Sequence, residues 1–142
     1  EEVRIRFRIL YKKDLKEIAK TLVVKADNAY KFVVVPAVSR LDLKKLKKVL
    51  SAKTLSIIDE KIMARVFKVK PGAISAFGTI HKVGTIVDKS LLKAKEAIFQ
   101  AGTFTDSVKM KVKDFVELEK AQLADFAQKA GYKLQKKTKK KK

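Results

Sequence analysis

The feature that most constrains the fold is a pair of β-branched runs, KTLVVKA (residues 20–26) and YKFVVVPA (residues 30–37), separated only by Asp27, Asn28 and Ala29. Two strongly apolar strand-formers this close together can satisfy their backbone groups in one common way, by folding back on each other, and Asp and Asn are residues that tolerate a tight connection. The pair is therefore read as a β-hairpin, with Pro36 ending its second strand.

Around it the period of the apolar residues changes repeatedly. VRIRFRIL (residues 3–10) alternates Val3, Ile5, Phe7 and Ile9 against Arg4, Arg6 and Arg8, the pattern of a half-buried strand. Asp14 then offers a cap for a short helical turn. Leu41, Leu43, Leu46, Val49 and Leu50 make a helical stripe with lysines opposite. TLSIID reads as a strand and DEKIMARVF as a short helix entered from Asp59. TIVD and EAIFQA read as strands around a brief turn, and SVKMKV as another one-sided strand. Phe115, Val116, Leu118, Leu123, Phe126 and Ala127 suggest one long amphipathic helix from Lys113 to about Ala130, closed by Gly131. Strands and helices intermix without regular βαβ spacing. The expected fold class is mixed α+β: a single compact domain whose central mixed sheet, or partly closed barrel, is flanked by helices. The domain is expected over residues 1–131, with a lysine-rich disordered tail at 132–142. Glu1 in place of an initiating Met is read as the mark of a missing N-terminal piece.

Charge sets the partner class. The chain carries +20, and removing the seven lysines of the last ten residues still leaves +13 on the body. Such a field draws polyanions and makes their binding salt-dependent, so RNA or DNA is the expected partner. The catalytic inventory is correspondingly sparse. With no cysteine, thiolate chemistry and disulfides are excluded, consistent with a cytoplasmic protein. The single histidine, His81, is read as a solvated loop residue. One His and scattered carboxylates offer no compact metal site, so neither metal nor cofactor is expected. No apolar run is long enough for a membrane helix. Hydrolysis on such a chain must use a water held by backbone, hydroxyls or the substrate itself.

Two places fit that requirement. Lys20, followed by Thr21, stands at the lip of an apolar strand, where an ammonium can meet a phosphate while its stem packs on hydrophobic neighbours. The stretch VKPGAISAFG (residues 69–78) places Gly72 and Gly78 around a nearly uncharged loop, where missing Cβ atoms let a ligand approach the main chain.

The order of these features resembles the YbaK/prolyl-tRNA synthetase editing-domain family. KTLVVKADNAYKFVVVPAVSRLDLKKLKKVL looks like the family's lysine-bearing hairpin and following helix, VKPGAISAFG like its G-x-x-x-P loop, and TIVDKSLL with FQAGTFTDSVKMKVKDFVEL like its closing strands and helix. The likeness runs from about Lys20 to about Leu118. It implies a hydrolase, acting in trans or in cis, that cleaves the ester of a mischarged aminoacyl-tRNA, with association with an aminoacyl-tRNA synthetase as an accompanying expectation. By the same resemblance Lys20 holds the phosphate of the terminal adenosine. Backbone at Gly72, with Ala73, Ile74, Ser75 and Ala76, contacts the aminoacyl group and places the attacking water. Thr21, Gly102, Asp106 and Ser107 take supporting positions. Two departures stand out: Ala76 occupies the motif's proline position, and Phe67-Lys68 replace a frequent Thr-Gly pair. The tail lysines Lys136, Lys137, Lys139 and Lys140 are expected to grip the tRNA body without sequence preference. The alternatives are a non-catalytic RNA-binding module that keeps the editing fold, and a protein-interaction or ribosome-associated factor.

Overall fold

The structure, a computed structural model, describes residues 17–69, 74–101 and 107–128. The central hairpin forms as expected: β1 (Ala19–Ala26) and β2 (Ala29–Pro36) pair antiparallel along their whole length, from Ala19↔Pro36 to Ala26↔Ala29. Asp27 turns the corner with φ 54°, a left-handed conformation that Asp tolerates better than most residues. Its carboxylate accepts from Lys53 N and Thr54 N at 3.0 and 2.9 Å, tying the turn to the next segment.

A five-stranded sheet grows from this hairpin in the order β4-β1-β2-β5-β8. β4 (Leu55–Ile57) runs antiparallel to β1, whereas β5 (Gly84–Asp88) lies parallel to β2, and β8 (Gln122–Ala124) parallel to β5. The sheet is open, with β4 and β8 as its edges, so the barrel variant of the expectation does not occur among the described residues. Two small antiparallel pairs flank it: β3 (Arg40–Leu41) with β9 (Ala127–Gln128), and β6 (Glu96–Gln100) with β7 (Ser107–Lys111).

Helices cover both faces. On one, α1 (Leu43–Leu50) starts at Asp42, whose carboxylate accepts from Lys44 N and Lys45 N, and sinks Leu46 among Val24, Val33, Val35, Ile86 and Phe126. On the other, α2 (Glu60–Phe67) starts at Asp59 and adds Met63 to a cluster with Val23, Phe32, Ile58 and Ile74. Beside it α3 (Val112–Leu118) places Phe115 against Phe99, their rings stacked with centroids 4.2 Å apart and both fully buried. Along β1 the alternation is strict. Ala19, Thr21 and Val23 face the second side, while Lys20, Leu22 and Val24 face α1's side.

One expected element is corrected. The long C-terminal helix stops at Leu118, and the residues assigned to its second half form β8 and β9 instead. Lys120 takes a left-handed φ of 49°, Ala121 N closes on Val116 O, and Leu118 is left 60% exposed rather than on a core stripe. Tertiary bonds account for the change: the free edge of β5 takes Leu123 as a ladder partner, and the buried Asp88 carboxylate accepts from Phe126 N and Ala127 N. These requirements outweigh a helical period that was only approximate. The expected strand at residues 3–9, the turn at Asp14 and the closing Gly131 lie outside the described residues.

Candidate functional site

Between its two neighbours on the outer side, β1 has a gap. β4 pairs with it only over Val24–Ala26, and β6, which packs alongside β1, shares with it a single ladder position, the isolated parallel bridge Ile18↔Ile98. Among the described residues no strand pairs with the outer edge at Lys20, Thr21 and Leu22. The ladder is therefore interrupted where the sequence placed its lysine.

Lys20 is half-buried at this opening, and its ammonium donates to the Ser39 carbonyl at 2.8 Å. Burial, and after it the nearby Arg40 guanidinium, pull its pKa below the ordinary 10.5. Among the described residues the one ion pair within 4.0 Å is Lys109–Glu96, so neither Lys20 nor Arg40 pairs with a described acid. Lys20 and the exposed Arg40, neither paired with a described carboxylate, make this corner of the sheet electropositive. That is the ordinary setting of a phosphate.

Thr21, the next residue, points to the other face. It is 8% exposed and its hydroxyl has no hydrogen-bond partner. Ile74 and Ala76 pack on that same side, in the clusters that hold Val23 and Ala19 respectively. The loop is pinned there: Ala76 N donates to Gln100 O at 3.0 Å, Ser75 Oγ accepts from Phe77 N, and Gly78 N donates to Ala76 O. Gln100 pairs with Ser107, which is also buried with an unpartnered hydroxyl. A buried hydroxyl without a partner costs free energy that a bound polar ligand would recover. The arrangement is thus two-sided, with the cations on one face of β1, the loop and lone hydroxyls on the other, and the edge gap between them. Gly72, Ala73, Gly102, Asp106 and Lys136, Lys137, Lys139 and Lys140 lie outside the described residues.

Ala76 also gains a physical reading. It is fully buried, and its N–H makes a bond that the motif's proline could not. Here a hydrogen bond to β6, rather than a pyrrolidine ring, fixes the end of the loop.

At Gly78 the expectation of ligand approach is corrected. A Cβ there would lie 2.6 Å from Thr85 Oγ1 and 2.8 Å from Val83 O, so the glycine serves close packing against β5. Gly78→Ala should lower stability by about 1–3 kcal/mol, from overpacking against backbone. A urea midpoint equal to the parent's would show that the contact is not tight. His81 is likewise not a free loop residue: it is half-buried, its ring 5.1 Å from that of Phe67.

Sequence reasoning missed Arg40, Gln100 and two buried carboxylates, Asp88 and Glu119. Glu119 accepts from Thr79 N and Thr79 Oγ1, fixing the segment after the loop, and Asp88 anchors β9, the partner of Arg40's strand. The Asp88-x-Ser90 spacing was a readable cap signal, since Ser90 N donates to Asp88 at 3.0 Å. Nothing local marked Glu119.

Comparison with known proteins bears on the fold and the family. Among solved structures, a candidate trans-editing enzyme for prolyl-tRNA synthetase superposes with TM-score 0.73 at 22% identity, covering 80% of this chain and 72% of that one. A computationally designed scaffold for presenting linear epitopes gives TM-score 0.73 at 24% identity, over 80% and 75% of the two chains. A protein from Marinobacter aquaeolei assigned to signal transduction gives 0.68 at 22%, covering 83% of this chain but 26% of its own length. At these identities the likeness establishes the fold. No curated protein sequence matches the chain. The sequence model of the aminoacyl-tRNA editing domain matches residues 10–118, well over half of the chain and the whole of the gap, the loop and the cationic corner, and the protein belongs to that family.

Proposed function

We propose that this protein hydrolyses the ester bond of mischarged aminoacyl-tRNA, acting in trans. The observation that carries the reading is the Lys20 ammonium, bound to Ser39 O and without a described carboxylate partner, near Arg40 where the β1 ladder is interrupted, with the 74–76 loop and the unpartnered Thr21 and Ser107 hydroxyls on the other face. Lys20 holds the phosphate of the 3′-terminal adenosine on the cationic side. The ribose crosses the gap, and the aminoacyl group lies against the loop, where Thr21 and Ser107 supply hydroxyls. Main-chain groups of the loop from Gly72 onward position a water. That water attacks the carbonyl carbon, the ester C–O bond breaks, and the proton passes to the departing ribose oxygen. An aminoacyl ester is already activated, so orientation and fixed dipoles are sufficient, and neither thiol nor imidazole is needed.

Association with the synthetase that makes the mischarged product fits this reading, because it would shorten the path from error to correction. The competing reading, a non-catalytic RNA-binding module, draws on Ala76. A panel of tRNAs mischarged with different amino acids separates the two: release of at least one amino acid well above the spontaneous rate is expected, whereas binding without any release would assign the chain to the module.

A further inference from the structure

We propose that the lysine ridge of α1 is a docking surface for the sugar-phosphate backbone of the substrate's acceptor arm. The inference deepens the editing reading and rests on it for the identity of the RNA, but the surface stands on separate observations. Lys44, Lys45, Lys47 and Lys48 are all exposed, and the helix has no acidic residue between Leu43 and Leu50. Lys44, Lys47 and Lys48, with Ser51 and Ala52, line a groove of about 410 Å³. No described carboxylate forms an ion pair with any of them. The nearest acids are already engaged: Asp42 caps the helix, and Asp27 is held by Thr54 and Lys53 N–H groups. Those bonds, the Thr54 amide first, hold the Asp27 carboxyl below its usual range, with Lys47 adding a smaller pull.

Position makes the ridge more than a solvated face. α1 begins three residues after Arg40, and Leu46 buries it on the same face of the sheet that Lys20 occupies. The positive surface therefore runs from the proposed 3′-phosphate site along the helix. At 1.5 Å per residue α1 is about 12 Å long, and a duplex with a charge roughly every 2 Å of axis sets several phosphates against it. An RNA whose end sits at Lys20 would lay the part of its acceptor arm beyond the last three nucleotides here. A membrane surface is the poorer partner. A helix lying on lipid must present its apolar side, whereas Leu46 is fully buried against the sheet.

The test is the triple variant Lys44→Gln/Lys47→Gln/Lys48→Gln in the full chain, with its melting curve checked against the parent's. Three measurements are compared: the Kd for uncharged tRNA across a salt series, KM and kcat on a mischarged tRNA, and cleavage of a mischarged 3′-terminal trinucleotide. Expected are a Kd and KM raised at least tenfold for whole tRNA, and a slope of log K against log salt reduced by about 2–3, from three lost phosphate contacts. kcat and trinucleotide cleavage should not change. Unchanged tRNA affinity and slope, or an equal loss on the trinucleotide, would overturn the docking surface. The uncharged-tRNA arm needs no hydrolysis, so a parent that binds through the ridge yet releases no amino acid would refute the editing reading while leaving the surface in place.

Discussion

Lys20→Met is expected to abolish ester release while leaving the fold within about 1 kcal/mol of the parent. The two halves of this outcome have different physical origins. On the stability side, the ammonium is half-buried and donates to Ser39 O, so methionine removes one net hydrogen bond while its unbranched chain keeps the packing of the lysine stem. Against that loss stands the cost of holding a charge there. The pKa of Lys20 is lowered by burial first and by Arg40 second, so the folded state binds this proton less tightly than the unfolded chain does. The cost is fully present below the folded-state pKa and disappears as pH rises from that value through 10.5, so the parent should gain on the variant across that window. On the activity side, loss of the phosphate anchor lets the ester drift from the loop, and a misplacement of about 1 Å is worth about 10²-fold in rate. Single-turnover deacylation beside urea unfolding reads both. A variant that unfolds early would make Lys20 structural, and one that retains most of the parent's rate would remove it from the proposed site. Lys20→Arg keeps the charge but not the compact ammonium, and partial activity is expected of it.

The parts of this site that could be read from sequence are those whose cause is local. β1 and β2 followed from two β-branched runs and a two-residue turn, α1 from its helical stripe, α2 from Asp59 at its start, and the place of Lys20 at the entry of β1 from the apolar run behind it. What could not be read depends on contacts distant in the chain. Whether Leu123 and Phe126 extend a helix or form strands was decided by the edge of β5 and by Asp88, more than 30 residues away. Gly78 gave no sign that its missing Cβ was needed by Thr85 rather than by a ligand. The gap in the sheet was invisible for the same reason, being defined by where β4 and β6 stop pairing with β1. Strand alternation in turn places Lys20 and Thr21 on opposite faces, so consecutive residues serve opposite ends of the proposed substrate.

Asp88→Ala is expected to cost about 3–5 kcal/mol, as much as truncating a fully buried core side chain. Asp88 is 1% exposed, and its two oxygens accept from four groups: Phe126 N at 2.8 Å, Ala127 N at 2.9 Å, Ser90 N at 3.0 Å and Ser90 Oγ. Alanine leaves at least one fully buried amide, that of Phe126, without a partner, and each hydrogen bond to a charged group is worth about 1.5–3 kcal/mol. Losses within one such cluster are not additive, which keeps the expected total below their sum. The damage should spread along the chain towards the site. β9 pairs Gln128 with Arg40 and Ala127 with Leu41, so releasing it frees the strand that holds Arg40 beside Lys20. Weaker tRNA binding should therefore accompany the lower urea midpoint at temperatures where the fold survives. Asp88→Asn separates packing from acceptance. Its single oxygen can serve Phe126 and Ala127 while its amide faces Ser90, whose hydroxyl can accept in place of donating but whose N–H loses its acceptor, so about half of the loss should return. Amide hydrogen exchange at Phe126 and Ala127 follows the anchor directly: fast exchange in the alanine variant and intermediate exchange in the asparagine variant are expected. Equal protection in all three proteins would show that β8 and β9 are held by their ladders alone, and that the carboxylate is incidental to the architecture around Lys20.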